Sequence, residues 1–450
     1  MSVARGVLPA PSQMPSPIDR DRRCGRARER FSVEIETTTP ILGGAPETRM
    51  IDRTDIIRVP TIRGHLRFWW RALQAAAGEQ GEALYAKEAR LWGKAADENG
   101  GRSAVETTVE IQRQATEGEA VPNAGEGYAL WPARATATEG AAHIRHAGVR
   151  FRLAIAMPAD DVDIAAVRNA IRAWILFGGY GGRTRRGVGS LTVHGSERSR
   201  ADWLPSIDND GAPREEFTDS LRNLFGADIF AAGPKPAHFP RLSGATLLVG
   251  ENPVHRSQVA WETAIGWLRE FRQGRDLARD HGTARPGQSR WPEADKLRHL
   301  TGRYGHPARY TDPAPAWPRA EFGLPIVGRF QGQGEPRDFR LTWQDATGKV
   351  QDRMASPLIA KALPTMQGFR PCLLWLARSN PDGMRVIAQQ IDAGGWATLQ
   401  GSPAAAGYPG SVADQADARR LHAPLTLKTS IQTAFLDWVK HTCHAVQVTP

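Results

Sequence analysis

From Phe31 the chain alternates apolar and polar residues, with Phe31, Val33 and Ile35 sharing one side, which predicts a half-buried strand. A helix is predicted next, from Thr61 to about Ala77, because Leu66, Trp69, Trp70 and Leu73 fall at i, i+3, i+4 and i+7. Strand-like runs follow near 105–113 and 147–156. An apolar helical pattern near 161–176 (Val167, Ile171, Ile175, Leu176) precedes a final run at 188–193 with Val188, Leu191 and Val193. The order β-α-β-β-α-β is the split-βαβ, ferredoxin-like plan, an antiparallel sheet covered on one face by two helices. The expected class is therefore α+β. Residues 114–146, rich in Gly, Ala, Thr and Glu, are a long excursion between the central strands, of the kind that is functional or disordered.

A second, weaker copy of the plan is expected from a strand at Leu242–Val249 and an amphipathic helix from about His255 to Arg272. Phe339–Trp343 and Cys372–Ala377 fit its middle strands, and Thr429–Val439 fits its late helix. Between these lies a basic, aromatic insertion at 273–320 that includes Arg290, Trp291, Lys296, Arg298, Tyr304 and Tyr310. The expected division is a disordered basic arm at 1–30, an N-terminal domain at 31–200 and a C-terminal domain at 201–450. The arm has four prolines between Pro9 and Pro17, then arginines from Arg20 to Arg30, and too little apolar content to fold.

Composition narrows the partners. The 450 residues carry a formal net charge of +10, mostly from arginine, which favours phosphate-bearing partners through forked hydrogen bonding. No run approaches the roughly 18 apolar residues of a membrane span, and the N-terminus has no apolar stretch of the secretory kind. A cytoplasmic protein without membrane contact is expected. Its three cysteines, Cys24, Cys372 and Cys443, form neither a disulfide framework nor a four-thiolate zinc site. His441, Cys443 and His444 would need further ligands to hold a metal, and His143 and His146 read as solvated, so no metal or cofactor is expected.

Two basic stretches carry the chemistry. On the first helix Arg63, Arg67 and Arg71 fall at i, i+4 and i+8, where like charges repel by roughly 0.2–0.5 kcal/mol per neighbouring pair. With no glutamate inside that helix, either an external anion or acids from another segment, such as Asp52 or Asp55, should compensate them. Gly64 would let a phosphate approach the helix. The second stretch, "FGGYGGRTRRGVGS" at 177–190, fits neither phosphate-loop pattern. It lacks the Lys-[Ser/Thr] ending of a Walker loop, and it follows a helix rather than a strand. Gly179, Gly181, Gly182 and Gly187 open the backbone there, and Arg183, Arg185 and Arg186 suit a polyanion, or else the loop is a mobile surface segment. Tyr180 either stacks on a base or is packed.

Seven stretches in order, "TTTPILGGA" (37–45), "PTIRGHLRFWWRAL" (60–73), "ARLWG" (89–93), "FGGYGGRTRRGVGSL" (177–191), "SRWPEADKLR" (289–298), "EFGLPI" (321–326) and "RMASPL" (353–358), resemble the first RAMP subunit of the Cmr effector, the type III-B CRISPR ribonucleoprotein. The resemblance implies two ferredoxin-like, RRM-like RAMP domains with long insertions. It also implies a role in antiviral defence, at the end of the filament that holds the 3′ end of the guide RNA. Neighbouring RAMP subunits and single-stranded target RNA are the implied partners, and target cutting is left to other subunits. The implied RNA contacts are Arg63, Gly64, Arg67, Arg71, Gly179, Tyr180, Gly181, Gly182, Arg183, Arg185, Arg186, Gly187, Arg290, Lys296 and Arg298. Tyr180 stands where the family often has a smaller residue, and the match thins beyond residue 360.

Two other functions compete. A RAMP-type endoribonuclease that processes guide precursors would use His65 as its acid or base, or Asp52 or Asp55 as a cleaving carboxylate, but no second proton-transfer partner is evident. A stand-alone RNA-binding protein would need the same basic surface without the filament.

Overall fold

The computed structural model describes residues 28–74, 81–94, 101–121, 127–159, 164–207, 213–233, 238–274, 289–311, 313, 315–399 and 430–449. Its N-terminal part runs β1 (Arg28–Thr37), β2 (Ile41–Leu42), α1 (Val59–Gln74), α2 (Gly81–Trp92), β3 (Glu106–Arg113), β4 (Glu117–Glu119), β5 (His143–Arg145), β6 (Arg150–Pro158), α3 (Ile164–Phe177) and β7 (Leu191–Val193). Strands β3, β6, β1 and β7 lie side by side in that order, and each neighbouring pair is antiparallel. Period-two alternation in β1 turns Val33 and Ile35 inward. Against them pack the apolar stripe of α1 (Ile62, Leu66, Trp69, Trp70) and α3, which is buried nearly all round. Strand β1 starts at Arg28, inside the segment expected to be an arm, because the β6 ladder reaches that far and Arg28 reaches across β6 to Glu106 on β3. The rest of that arm, with Cys24, lies outside the described residues.

The excursion at 114–146 is folded where it is described. Strands β5 and β4 join β2 in a small antiparallel sheet over a core of Ala120, Ala133, Ala142 and Ile144.

The C-terminal part comprises α4 (Pro213–Phe225), β8 (Arg241–Gly250), α5 (Ser257–Gln273), α6 (Glu293–Thr301), β9 (Ile326–Gly328), β10 (Phe339–Gln344), β11 (Val350–Gln351), β12 (Leu358–Thr365), β13 (Gly368–Ala377), β14 (Arg385–Asp392), β15 (Gly395–Thr398), α7 (Ile431–Thr442) and β16 (Ala445–Gln447). Its central sheet has the order β12–β13–β8–β16, again antiparallel throughout. The middle pair is therefore Leu358–Thr365 with Gly368–Ala377, and the expected use of Phe339–Trp343 is corrected. That run, β10, belongs to a separate five-stranded sheet with β9, β11, β14 and β15. The reason is burial: all eight residues of β12 are inside, so it shows no alternation to read.

One apolar cluster runs through both parts, joining Leu66, Trp174 and Phe177 to Leu247, Leu363 and Leu374. No helix among the described residues is long and apolar enough to cross a membrane.

Candidate nucleic-acid interface

The Gly/Arg loop leaves α3 where the Gly178 N–H bonds Trp174 O at 2.9 Å, and it folds back on itself as Tyr180 N–H reaches Gly189 O at 2.8 Å. Residues 40–42 run alongside, accepting from Gly189 N–H at Pro40 O (2.7 Å) and from Gly182 N–H at Leu42 O (2.6 Å). Gly187 has φ +73°, and a Cβ there would lie 2.4 Å from Trp261 Cδ1 of α5. The glycines thus serve a close approach of protein to protein.

The loop's three arginines reach across to other segments. Arg183 Nε donates to Ala129 O, Arg185 to Ser356 O, and Arg186 Nη1 to Leu358 O at 2.9 Å, while Trp261 Nε1 donates to Arg186 O at 2.6 Å. Burial pulls Arg185 and Arg186 each down to about 10 and lowers Arg183 as well, because a guanidinium loses hydration here without gaining a carboxylate. Below them Lys361 of β12, fully buried, donates from Nζ to Gly178 O (2.8 Å) and Ile175 O (3.1 Å) at the end of α3; burial brings its amine down to about 7. The loop is therefore a joint between the two sheets. Tyr180 is packed, 3% exposed, with its hydroxyl accepting Arg58 N–H at 2.7 Å, so the ring is not presented for stacking.

The arginine stripe of α1 is compensated from within. Glu88 of α2 accepts from Arg67 Nε at 2.6 Å and from Arg71 Nη1 at 2.5 Å, and its side chain is only 4% exposed. Neither Asp52 nor Asp55 does this. Asp52 instead accepts the Thr54 and Asp55 N–H groups, which, with the Asp55 bond the larger cause, hold its carboxyl below the usual range. Arg63 Nη2 donates to Trp92 O at 2.9 Å. Arg63 and Arg67 line one wall of an open cleft of about 600 Å³, and Lys94 and Arg102 line it with Ser103, Thr107 and Thr108. Glu106 is the carboxylate among the cleft's described lining residues and is engaged by Arg28 and Arg102. Gly64 is exposed, with open space where a Cβ would sit.

Glu88, Lys94 and Arg102 escaped the sequence reading. Glu88 carried a signal: with Leu84, Leu91 and Trp92 it falls on the buried stripe of α2, where an acid needs a cationic partner. In the insertion, Lys296 is buried at 1% exposure, and Arg298 is committed to Glu335 (2.8 Å) and Asp295 (2.5 Å), so these two sit in an internal network away from the cleft. Arg290 is half-buried, its carbonyl accepting from the Tyr310 hydroxyl.

His65 lies between aromatic rings, stacked at 6.0 Å on Trp174 and edge-on to Tyr180 at 6.1 Å. Burial lowers its pKa to about 4, so the imidazole is neutral at pH 7, and its Nε2 has no hydrogen-bond partner among the described residues. Among the described residues no group of three or more His, Cys, Asp or Glu side chains is placed to hold a metal.

Residues 34–192 match the model of the RAMP superfamily. No curated protein matches the chain. Among solved structures it is similar to Cmr1 from Pyrococcus furiosus in its apo form, with 18% identity over 78% of this chain and 89% of that one and a TM-score of 0.48. It is also similar to a chain in the type III-B Cmr-beta complex bound to cognate target RNA, with 10% identity over 82% of this chain and 95% of that one and a TM-score of 0.41.

Proposed function

We propose that the chain, whose residues 34–192 match the model of the RAMP superfamily, is a non-catalytic, RNA-binding subunit of a type III-B CRISPR effector, capping its filament at the 3′ end of the guide RNA and helping to capture target RNA. The seven ordered motifs support this reading. So does the topology: β7–β1–β6–β3 with α1 and α3, and β16–β8–β13–β12 with α5 and α7, are each the strand order of a ferredoxin-like unit.

The observation that carries the reading is the cleft. Arg63, Arg67, Lys94 and Arg102 surround one open groove, and exposed Gly64 leaves the adjoining helix surface bare, which suits a sugar-phosphate backbone held without regard to sequence. Arg63, Gly64, Arg67 and Arg71 are the proposed centre of contact. Gly179, Tyr180, Gly181, Gly182 and Gly187 hold the frame, with Arg183, Arg185 and Arg186 supporting it. A neutral, packed His65 leaves a ribonuclease without its best acid or base.

The test uses the full-length chain and a single-stranded RNA oligonucleotide. Arg63→Ala with Arg67→Ala should weaken binding and flatten the dependence of log affinity on log salt by about 1.4, for two phosphates of a single strand. The parent protein should leave the RNA intact with or without magnesium. Cleavage by the purified chain that is lost in His65→Ala would overturn the reading in favour of a nuclease.

A further inference from the structure

The folded excursion presents a residue that neither the joint nor the cleft uses. Trp131 is 57% exposed, and the guanidinium carbon of Arg134 sits over its ring, 3.8 Å from the centroid. Arg134 Nη1 also donates to Trp131 O at 2.8 Å, which fixes the pair in one arrangement.

The backbone beneath is held firmly. Arg49 Nη2 donates to Ala133 O (3.0 Å) and Arg134 O (2.6 Å), and its Nε donates to Gly140 O (3.1 Å). Ala129 and Leu130, just before the tryptophan, are wholly buried. Ala129 O accepts from Arg183, and the neighbouring Tyr128 hydroxyl accepts from Arg272 at 2.8 Å. A large flat ring is thus displayed in water from a rigid mount, at no gain to the fold.

Its surroundings select the partner. The exposed residues that follow in the segment, Pro132, Ala135, Thr136, Ala137, Thr138, Glu139 and Gly140, carry no large apolar side chain, so among them the indole stands alone. One aromatic face with a guanidinium held on it fits one flat π-system beside a negative charge. An unpaired base with its phosphate has that form.

We propose that Trp131 and Arg134 form a stacking site for a single unpaired base of the bound RNA. This deepens the RNA-binding reading above and rests on it. The base lies on the indole or slides against the guanidinium, while Arg134 provides positive charge for a flanking phosphate. The site takes any base, since each has a π-face.

The test measures the affinity of the full-length chain for a uridine oligonucleotide and for an abasic strand of equal length, using the parent, Trp131→Ala, Trp131→Phe and Arg134→Ala. Trp131→Ala should weaken binding to the uridine strand on the order of 5- to 150-fold, the range of one stacked base, with little change for the abasic strand. Trp131→Phe should restore most of the affinity, and the thermal midpoints of all the variants should match the parent. Equal affinity of parent and Trp131→Ala for the uridine strand overturns the stacking site alone. Loss of a co-purifying protein with RNA affinity unchanged overturns it in favour of protein docking. If the parent itself binds neither strand, the RNA-binding reading fails first, and the stacking site with it.

Discussion

Glu88→Gln should destabilise the protein while strengthening the RNA binding proposed for it, because one carboxylate does two opposed jobs. It accepts from Arg67 and Arg71 at 2.6 and 2.5 Å, and as the nearest acid to the α1 stripe it also offsets charge that RNA would otherwise meet. A hydrogen bond to a charged group contributes about 1.5–3 kcal/mol, so two would suggest about 3–6. The arginine side chains are 31% and 35% exposed, however, and water can solvate what the carboxylate releases, which reduces the figure by roughly half. Both bonds end on the same carboxylate oxygen, so a glutamine oxygen can still accept them and the loss is of charge, while restored repulsion between Arg67 and Arg71 adds about 0.2–0.5 kcal/mol. The net expectation is a loss of about 2 kcal/mol, read as a lower urea midpoint at unchanged slope. With Arg71 freed beside Arg67, which already meets a phosphate in the parent, log affinity for single-stranded RNA should fall more steeply with log salt, by about 0.7 for one further phosphate. A variant as stable as the parent within about 0.5 kcal/mol would refute the compensation argument, a difference within ordinary surface substitutions. A shallower salt slope would refute the placement of RNA on this helix face.

Two further outcomes test the joint. Gly187→Ala should cost about 2–5 kcal/mol, combining a left-handed backbone with a Cβ 2.4 Å from Trp261, and denaturant unfolding should show it; a loss under about 1 kcal/mol would mean that the sheets can part there cheaply. Lys361 titrates near 7 in the folded protein and near 10.5 when exposed, so the unfolded chain binds more protons between those values and this residue should make stability rise with pH from 7 to 10.5. Lys361→Met should remove that rise in urea titrations at pH 7 and 9.5, and an identical pH dependence in the variant would show the amine to be charged in place.

The parts legible in the sequence are those with one wet and one dry face. Trp69 and Trp70 were placed in the core by spacing alone, and they are 3% and 4% exposed. The strands at 106–113 and 150–158 and the helix at 164–177 lie close to their expected positions for the same reason. Strand β12 was missed because it is dry on both faces and contains Lys361 and Pro364, which read as breaks in an apolar run. At the site, the arginines of α1 were visible, but their partner Glu88 lies in another helix and its pairing is a tertiary fact. The sequence shows that the loop glycines open the backbone to a close approach, without showing by what. What approaches is Trp261 and the backbone at 40–42, and nothing local distinguishes that from a ligand.

The placement of β16 has a consequence for how the chain is made. Its residues Ala445–Gln447 pair with β8, so a strand emerging early from the ribosome waits for its second neighbour until about two hundred more residues have followed, a closure of high contact order that folds slowly. Leu247 and Val249 share the apolar cluster of α1 and α3, so β8 can dock on the N-terminal core before its later neighbours are made. The first sheet can thus form while the second is half built, with the β8 edge open to whatever chain is near. During that interval β8 pairs with its own C-terminus only if synthesis outpaces encounter with another chain.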